Sequence, residues 1–342
     1  MTTLLGLLLI FIGAFSSGSF AVPFGGIKGW KWENYWLTTG LFSFVLLPLI
    51  VCLLLVNDFG KLITVVPTTD LAAIFILGAV YGIGSLTFGL SMRYLGLSLG
   101  YALSLGLMAA IGTLVPPALD GRFGMLLDTY NGNMVLLGIL ISLVGIAGIA
   151  ISGYQKDQFN SKKAKDENNE FDFKKGVIAA VLTGVLASAM SLGIEKGNGV
   201  SQISIETGTN PLFSGNPTML IMLLGTFGTT LIWCMYLMIK NKTLIEFKKY
   251  SRAISLKNLA MTGLAGMLWY VQFIFFGAGK SMLGEYTFAA WGILMAFTIV
   301  IAMLWGLFKG EWKGIPTKTR MIMFVSLGII IVGTFIIGLF NT

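Results

Sequence analysis

Apolar residues form ten runs along the chain, and short segments that carry most of the polar residues separate these runs. A helix of about 20 apolar residues is long enough to cross the hydrocarbon core of a bilayer. The pattern therefore predicts an all-α integral membrane protein with ten transmembrane helices. The predicted spans are 3–22, 34–56, 71–91, 97–117, 134–152, 175–194, 217–239, 257–279, 285–308 and 320–340.

Composition supports this fold class. Of the 342 residues, 56% are hydrophobic and only 11% are charged. A soluble domain of this length could not bury so much apolar surface. The first apolar run has no basic residue before it and no clear cleavage site after it, so we expect a retained span rather than a removed signal peptide.

The distribution of basic residues predicts the orientation. When residues at the ends of spans are assigned to the neighbouring loop, the loops that follow odd-numbered spans hold 19 of the 23 Lys and Arg residues. The other loops hold four. Lys and Arg concentrate in cytoplasmic loops, so both termini are expected on the periplasmic side. The formal net charge of +8 is explained by this topology and gives no indication of nucleic-acid binding.

One long polar segment divides the chain into two halves with five spans each. The predicted organisation is a first five-helix repeat over 1–154, a cytoplasmic linker over 155–174 and a second repeat over 175–342. A shift of 188 residues aligns Gly78 with Gly266 and Tyr81 with Trp269. Because each half has an odd number of spans, the second copy would enter the membrane upside down, as in the inverted repeats of secondary transporters.

Three stretches resemble the L-rhamnose–proton symporters, a family within the drug/metabolite transporter superfamily. They are AVPFGGIKGWKWENYW at 21–36, FGLSMRYLGLSLGYALSLG at 88–106 and GMLWYVQFIFFGAGK at 266–280. The resemblance implies a proton-coupled importer of L-rhamnose or a similar deoxy-sugar in the bacterial cytoplasmic (inner) membrane. Members of the family can carry a histidine near the end of the eighth span, where this chain has Lys280.

A sugar site needs hydroxyl or amide partners and an aromatic plate, and the predicted spans supply both. Trp269 and Gln272 lie on one face of span 8, where an amide is costly unless it is paired or faces a wet cavity. Each candidate also has an ordinary structural interpretation, such as helix packing or a bond to its own backbone. The candidate substrate-binding residues are Trp269, Gln272, Tyr270, Tyr81, Ser85, Trp291 and Tyr101.

Proton coupling needs a titratable group, and the chain has no histidine. A buried carboxylate is then the expected carrier, and Glu195, Glu285 and Glu33 are the candidates near helix ends. Glu33 and Glu285 lie at helix N-termini, where the helix dipole alone explains a carboxylate. Arg93 and Lys280 occupy equivalent helix ends, and anchoring at the membrane surface explains them more simply than substrate binding.

Motifs for other functions are missing from the sequence. There is no phosphate-binding loop, no dinucleotide fingerprint and no metal-ligand cluster, so no cofactor, metal or enzymatic activity is expected. The expected partners are a small sugar, a proton and the lipid bilayer. Two alternatives keep the transporter class: an exporter of small amphipathic metabolites, and a sodium-coupled sugar importer. A membrane receptor that binds a sugar without transporting it is a third alternative.

Overall fold

The computed structural model describes residues 2–119, 123–163, 171–282 and 289–340, and these residues form helices and turns with no strand. Short 3₁₀ segments occur at Val22–Gly26, Pro211–Phe213 and Thr243–Ile245. The α-helices are α1 Thr2–Ser19, α2 Trp32–Gly40, α3 Leu47–Leu55, α4 Phe59–Val65, α5 Thr68–Leu119, α6 Phe123–Asp128, α7 Tyr130–Lys163, α8 Phe173–Ala187, α9 Ala189–Lys196, α10 Asn198–Glu206, α11 Asn216–Asn241, α12 Glu246–Lys249, α13 Arg252–Ser281, α14 Ala289–Phe308 and α15 Thr317–Phe340.

Within the described residues, eight helical stretches are long and apolar enough to cross a membrane. Two shorter apolar helices, Leu99–Ile111 and Leu294–Phe308, coincide with predicted spans 4 and 9. The helical architecture agrees with an integral membrane protein, and ten spans in two repeats remain a prediction. The eight stretches are Leu4–Gly26, Trp32–Leu55, Thr68–Leu97, Tyr130–Lys156, Phe173–Glu206, Pro211–Asn241, Arg252–Ser281 and Thr317–Ile337.

Predicted spans 3 and 4 are joined through a single glycine rather than a loop. Gly96 has φ 80° and ψ 174°, which interrupts α5 and turns the chain back. An L-residue with a side chain rarely adopts this φ, whereas glycine adopts it at little cost. The two parts of α5 form a tight hairpin, and the Oγ atoms of Ser91 and Ser104 lie 2.9 Å apart across it.

Predicted span 2 is not one regular helix. Between α2 and α3 lies a π-helical segment, Leu41–Leu46, and Pro48 follows it in the first turn of α3. Proline has no N–H, and its ring crowds the carbonyl four residues earlier, so the regular hydrogen-bond pattern is interrupted there. Wider turns of this kind change where the following side chains point and are frequent at functional sites. Ser43 and Phe44 lie in this segment.

The aligned glycines Gly78 and Gly266 make equivalent helix contacts. A Cβ on Gly78 would overlap the carbonyl oxygen of Met222, so α5 and α11 touch backbone to backbone. A Cβ on Gly266 would lie 2.7 Å from the Cβ of Phe42 and 3.0 Å from the Thr39 carbonyl oxygen. Predicted span 3 therefore packs on span 7, and its counterpart, predicted span 8, packs on span 2. The two contacts are reciprocal, because spans 2 and 7 are also counterparts in the two predicted halves.

A second pair of contacts follows the same pattern. A Cβ on Gly84 of α5 would lie 2.9 Å from the backbone nitrogen of Ala187 in α8. A Cβ on Gly279 of α13 would lie 2.7 Å from the backbone oxygen of Gly6 in α1. Small residues allow helices in membranes to approach this closely. Predicted span 3 thus contacts span 6, and its counterpart, span 8, contacts span 1.

The polar segment between the halves begins as helix. α7 continues to Lys163, so the first part of the predicted linker 155–174 extends the fifth span as a helix. Its last residues lead into α8, which Asp172 caps by accepting the backbone N–H of Lys175 at 3.0 Å. This bond lowers the pKa of the Asp172 carboxyl, which is partly exposed. The domain boundaries themselves remain predictions.

Candidate substrate-binding site

A cavity lies among the helices. Its walls come from α1, α2, the π-helical segment, both parts of α5, α8, α9, α13 and α14. Both predicted halves of the chain contribute. Among the described residues the lining contains aromatic, aliphatic, hydroxyl and amide groups and no charged side chain. This surface suits a neutral ligand with polar groups and apolar faces.

Five of the predicted substrate residues lie in this lining: Tyr81, Ser85, Tyr101, Trp269 and Gln272. They come from three separate parts of the chain, the two arms of the α5 hairpin and α13. The predicted faces of span 8, with Trp269 and Gln272, and of span 3, with Tyr81 and Ser85, therefore line the same cavity.

Two other predicted residues do not belong to this set. Tyr270 is fully buried, and its hydroxyl donates to Asn216 Oδ1 at 3.2 Å, away from the cavity. Tyr270 lies on a different side of α13 from Trp269, because the next residue along a helix points about 100° away. Trp291 lies in α14, but its side chain is outside the described residues.

Gln272 and Trp269 form a polar and an aromatic group on neighbouring turns of α13. Gln272 Nε2 donates to the backbone oxygen of Trp269 at 2.7 Å, and the side chain is only 4% exposed. The indole ring of Trp269 makes edge contacts with Phe44 and Phe273, with ring centroids 5.0 and 5.1 Å away. Among the described residues, this is the bond found for the Gln272 carboxamide, which has an acceptor oxygen and a second N–H besides, while the neighbouring rings hold the indole in place.

The opposite arm carries a second polar and aromatic set. The hydroxyl of Tyr101 donates to the backbone oxygen of Ser17 at 3.1 Å, linking α5 to α1. The ring of Tyr101 packs on Phe88 at 5.1 Å and on Phe20 at 6.2 Å between centroids. Phe88 and Phe20 also line the cavity. Tyr101 is therefore oriented by packing and by a hydrogen bond at the same time.

Sequence reasoning missed the contribution of α2. Thr39, Trp36 and Ser43 line the cavity, and Ser43 Oγ donates to the Thr39 backbone oxygen at 3.0 Å. The hydroxyl of Thr39 is buried and has no hydrogen-bond partner among the described residues. An unpaired buried hydroxyl costs free energy, so this hydroxyl in a residue of the cavity wall is a candidate contact for a ligand or a water molecule. The stretch WLTTGLFSF, with small polar residues inside an apolar span, is the signal that could have identified this wall.

A family model described as L-rhamnose-proton symport protein matches residues 1–342. The chain belongs to this family. It is similar to the L-rhamnose-proton symporter of Cronobacter sakazakii (strain ATCC BAA-894), with 32% identity over 338 residues, 98% of this chain and 97% of the relative. The corresponding symporter of Yersinia pestis (strain Pestoides F) is 32% identical over 339 residues, with 98% and 97% covered.

Family membership confirms the resemblance seen in the sequence, and it confirms a transporter rather than an enzyme. With the apolar helices, it indicates a multi-pass protein of the bacterial inner membrane. Among the described residues, no group of three or more His, Cys, Asp or Glu side chains could hold a metal ion.

A proton symporter needs a titratable group, and this chain has no histidine, so the positions of its carboxylates bear on proton coupling. Glu33 is buried in the first turn of α2, and its Oε1 accepts from Asn241 Nδ2 at 3.0 Å and from Thr243 Oγ1 at 2.9 Å. This arrangement fastens α2 to the segment that follows α11. Glu195 is exposed at the end of α9, so the burial expected of a proton carrier is not found there. Glu285 lies outside the described residues.

The two basic residues at helix ends are exposed. Arg93 precedes the break in α5, and Lys280 lies in the last turn of α13. Neither residue lines the cavity. Anchoring at the membrane surface, in which the charged end of a long side chain reaches the polar region, stays a prediction for both residues.

Proposed function

We propose that the protein imports L-rhamnose, or a similar deoxy-sugar, together with a proton by alternating access across the bacterial inner membrane. The observation that carries this proposal is the uncharged cavity with aromatic walls in a chain of the L-rhamnose-proton symport protein family. A deoxy-sugar is neutral and offers hydroxyl groups beside apolar C–H faces. The lining offers matching groups, since Gln272 and Thr39 can bond to hydroxyls while Trp269 covers an apolar face.

The architecture proposed for this cycle is ten spans in two inverted five-helix repeats, as in the drug/metabolite transporter superfamily. The reciprocal contacts support it: predicted span 3 packs on spans 6 and 7, and predicted span 8 packs on spans 1 and 2. An inverted repeat with one repeat-to-repeat interface produces this pattern, because each contact has a counterpart related by the pseudo-two-fold axis. The cavity lies between the two proposed repeats, where such transporters bind their substrates.

We further propose that both termini are periplasmic, as the loop charges indicate. The outward-facing cavity would accept the sugar and the proton, and rocking of one repeat against the other would open it to the cytoplasm. Trp269 and Gln272 on one repeat and Thr39, Tyr81, Ser85 and Tyr101 on the other would then close around the sugar. The same residues would bind the sugar in both states, and only the side of the membrane to which the site is open would change.

The test is uptake of labelled L-rhamnose into proteoliposomes that contain the purified protein. We expect accumulation above the external concentration under an inward proton gradient, and its loss when a protonophore is added. Accumulation under a sodium gradient alone would show that the coupling ion is sodium and not a proton. A lower content of sugar in loaded vesicles under the same gradient would indicate an exporter, and binding without any flux would indicate a receptor.

A further inference from the structure

A fourth carboxylate, Glu311, lies between α14 and α15 and contacts the break in α5. Its Oε1 accepts the backbone N–H of Leu97 at 2.7 Å. A Cβ on Gly96 would lie 2.9 Å from its Oε2, so the carboxylate is placed directly over the glycine. Glu311 therefore caps the helix that begins at Leu97, where the helix dipole favours a negative charge. The contact joins the second predicted repeat to the first.

A buried lysine lies near this carboxylate. Lys156 in α7 is only 4% exposed, and its Nζ lies over the ring of Trp312 at 4.8 Å and over Phe171 at 5.6 Å. Glu311 attracts this ammonium group electrostatically. A buried cation is stable only while an opposite charge or polar groups compensate it. The ionised form of Glu311 thus stabilises the packed position of Lys156 beside Trp312.

A second cation, Lys309, precedes Glu311 by two residues. Burial lowers the pKa of Lys309, and attraction by Glu311 opposes this shift. On the side of α5 the nearest basic residue in sequence is Arg93, which is exposed. Protonation of Glu311 would therefore remove the charge that attracts the buried ammonium group of Lys156 and the ammonium group of Lys309.

The contact of Glu311 is close to the cavity. Leu97 begins the second part of α5, and Tyr101, which lines the cavity, follows one helical turn later, about 6 Å along the axis. The hydroxyl of Tyr101 is in turn bonded to Ser17 in α1. A displacement of this first turn would move Tyr101 and the wall that it forms.

We propose that Glu311 is the carboxylate whose protonation couples the proton to sugar import, and this rests on the function proposed above. Ionised Glu311 holds the first turn of the second arm of α5 and compensates Lys156, which keeps the predicted cytoplasmic side packed. In the outward-facing state, one proton from the periplasmic solution, taken up with the sugar, neutralises the carboxylate and leaves Lys156 uncompensated. The protein then favours a state in which Lys156 is hydrated, which requires this side to open, and the proton leaves to the cytoplasm.

Glu33 is less suited to this role. Its carboxylate accepts hydrogen bonds from the neutral side chains of Asn241 and Thr243, and the cation that attracts it, Arg93, is exposed. Its protonation would therefore leave no buried lysine uncompensated among these contacts. Glu246 offers a matched control, because its Oε2 also accepts a backbone N–H, that of Lys31, at 2.7 Å, and also joins the two halves.

The test compares Glu311→Gln with Glu246→Gln in proteoliposomes by two assays. The first assay is exchange of labelled for unlabelled L-rhamnose without a gradient, and the second is accumulation under an inward proton gradient. Gln keeps an oxygen that accepts the Leu97 N–H but imitates the protonated acid. We expect Glu311→Gln to exchange within about threefold of the wild-type rate and to lose accumulation completely, while Glu246→Gln retains both activities.

Accumulation by Glu311→Gln at the wild-type level would overturn the proposal, and so would loss of exchange in a folded variant that still binds the sugar. Lys156→Gln provides a second, independent measurement. Without Lys156, protonation of Glu311 would leave no buried ammonium group uncompensated, so accumulation under the proton gradient should be lost while exchange continues. Accumulation by Lys156→Gln at the wild-type level would contradict the role of this pair. Absence of exchange in the wild-type protein would instead contradict the proposed function.

Discussion

Replacement of Thr39 by valine separates a binding role from a structural role. The two side chains have nearly the same shape, and the substitution exchanges a hydroxyl for a methyl group. Thr39 lines the cavity, and its hydroxyl is buried and has no partner among the described residues. Its loss should therefore remove a contact to the sugar without removing one inside the protein.

The substitution should keep or raise the stability of the protein and lower its affinity for the sugar. A buried hydroxyl without a partner costs about 1–3 kcal/mol, so Thr39→Val should leave the sugar-free protein as stable as the wild type or more stable. One hydrogen bond contributes about 0.5–1.5 kcal/mol, so sugar binding should weaken about two- to tenfold. A residue that only packs the helix would show no such combination.

The assay combines thermal unfolding in detergent with binding of L-rhamnose, followed by quenching of the cavity tryptophans. The neighbouring Thr38→Val is the control, because the Thr38 hydroxyl donates to the Asn34 backbone oxygen at 2.8 Å and does not line the cavity. We expect unchanged affinity for the control. A Thr39→Val protein that binds as tightly as the wild type, or that unfolds at a lower temperature, would refute the reasoning.

Three further predictions follow from the same contacts. Gln272→Leu should weaken rhamnose binding about tenfold or more with little loss of thermal stability, as titration and thermal unfolding would show. The reason is that the amide donates one bond within the protein, to the Trp269 backbone oxygen, and its other groups would serve the proposed sugar site. Gly225→Ala should lower the yield and melting temperature of the purified protein, whereas Gly228→Ala in the same helix should not, because only the first new Cβ would overlap a backbone atom of α5. Asp70→Asn should change the free energy of unfolding by less than about 1 kcal/mol in urea titration, because its ion pair with Lys196 is partly exposed; a larger change would show that this pair has a structural role.

The helices could be predicted from sequence because a bilayer demands about 20 consecutive apolar residues, which is a strong and local signal. Where helices bend or join was less predictable. The turn at Gly96 occupies one residue, and the rest of its surroundings look like continuous helix. The extension of α7 to Lys163 was missed because charged residues there resemble a flexible linker, whereas an exposed helix tolerates them equally well.

The site was partly predictable for a related reason. Helical spacing and an isolated amide identified Trp269 and Gln272, but the same spacing could not tell that Tyr270 points toward Asn216. Thr39 was missed because a hydroxyl in a membrane helix usually bonds to its own backbone, as Thr38 does. Glu311 was missed because a carboxylate in a polar loop carries no signal until the fold brings it to Leu97.

The most direct test of coupled import measures protons and sugar together. Proteoliposomes with an internal pH-sensitive dye are prepared with equal pH on both sides, and L-rhamnose is then added outside. Sugar entry should acidify the interior, and a sugar that the protein does not transport should produce no change. Entry of labelled rhamnose without acidification, in vesicles that hold an imposed pH gradient, would contradict proton symport.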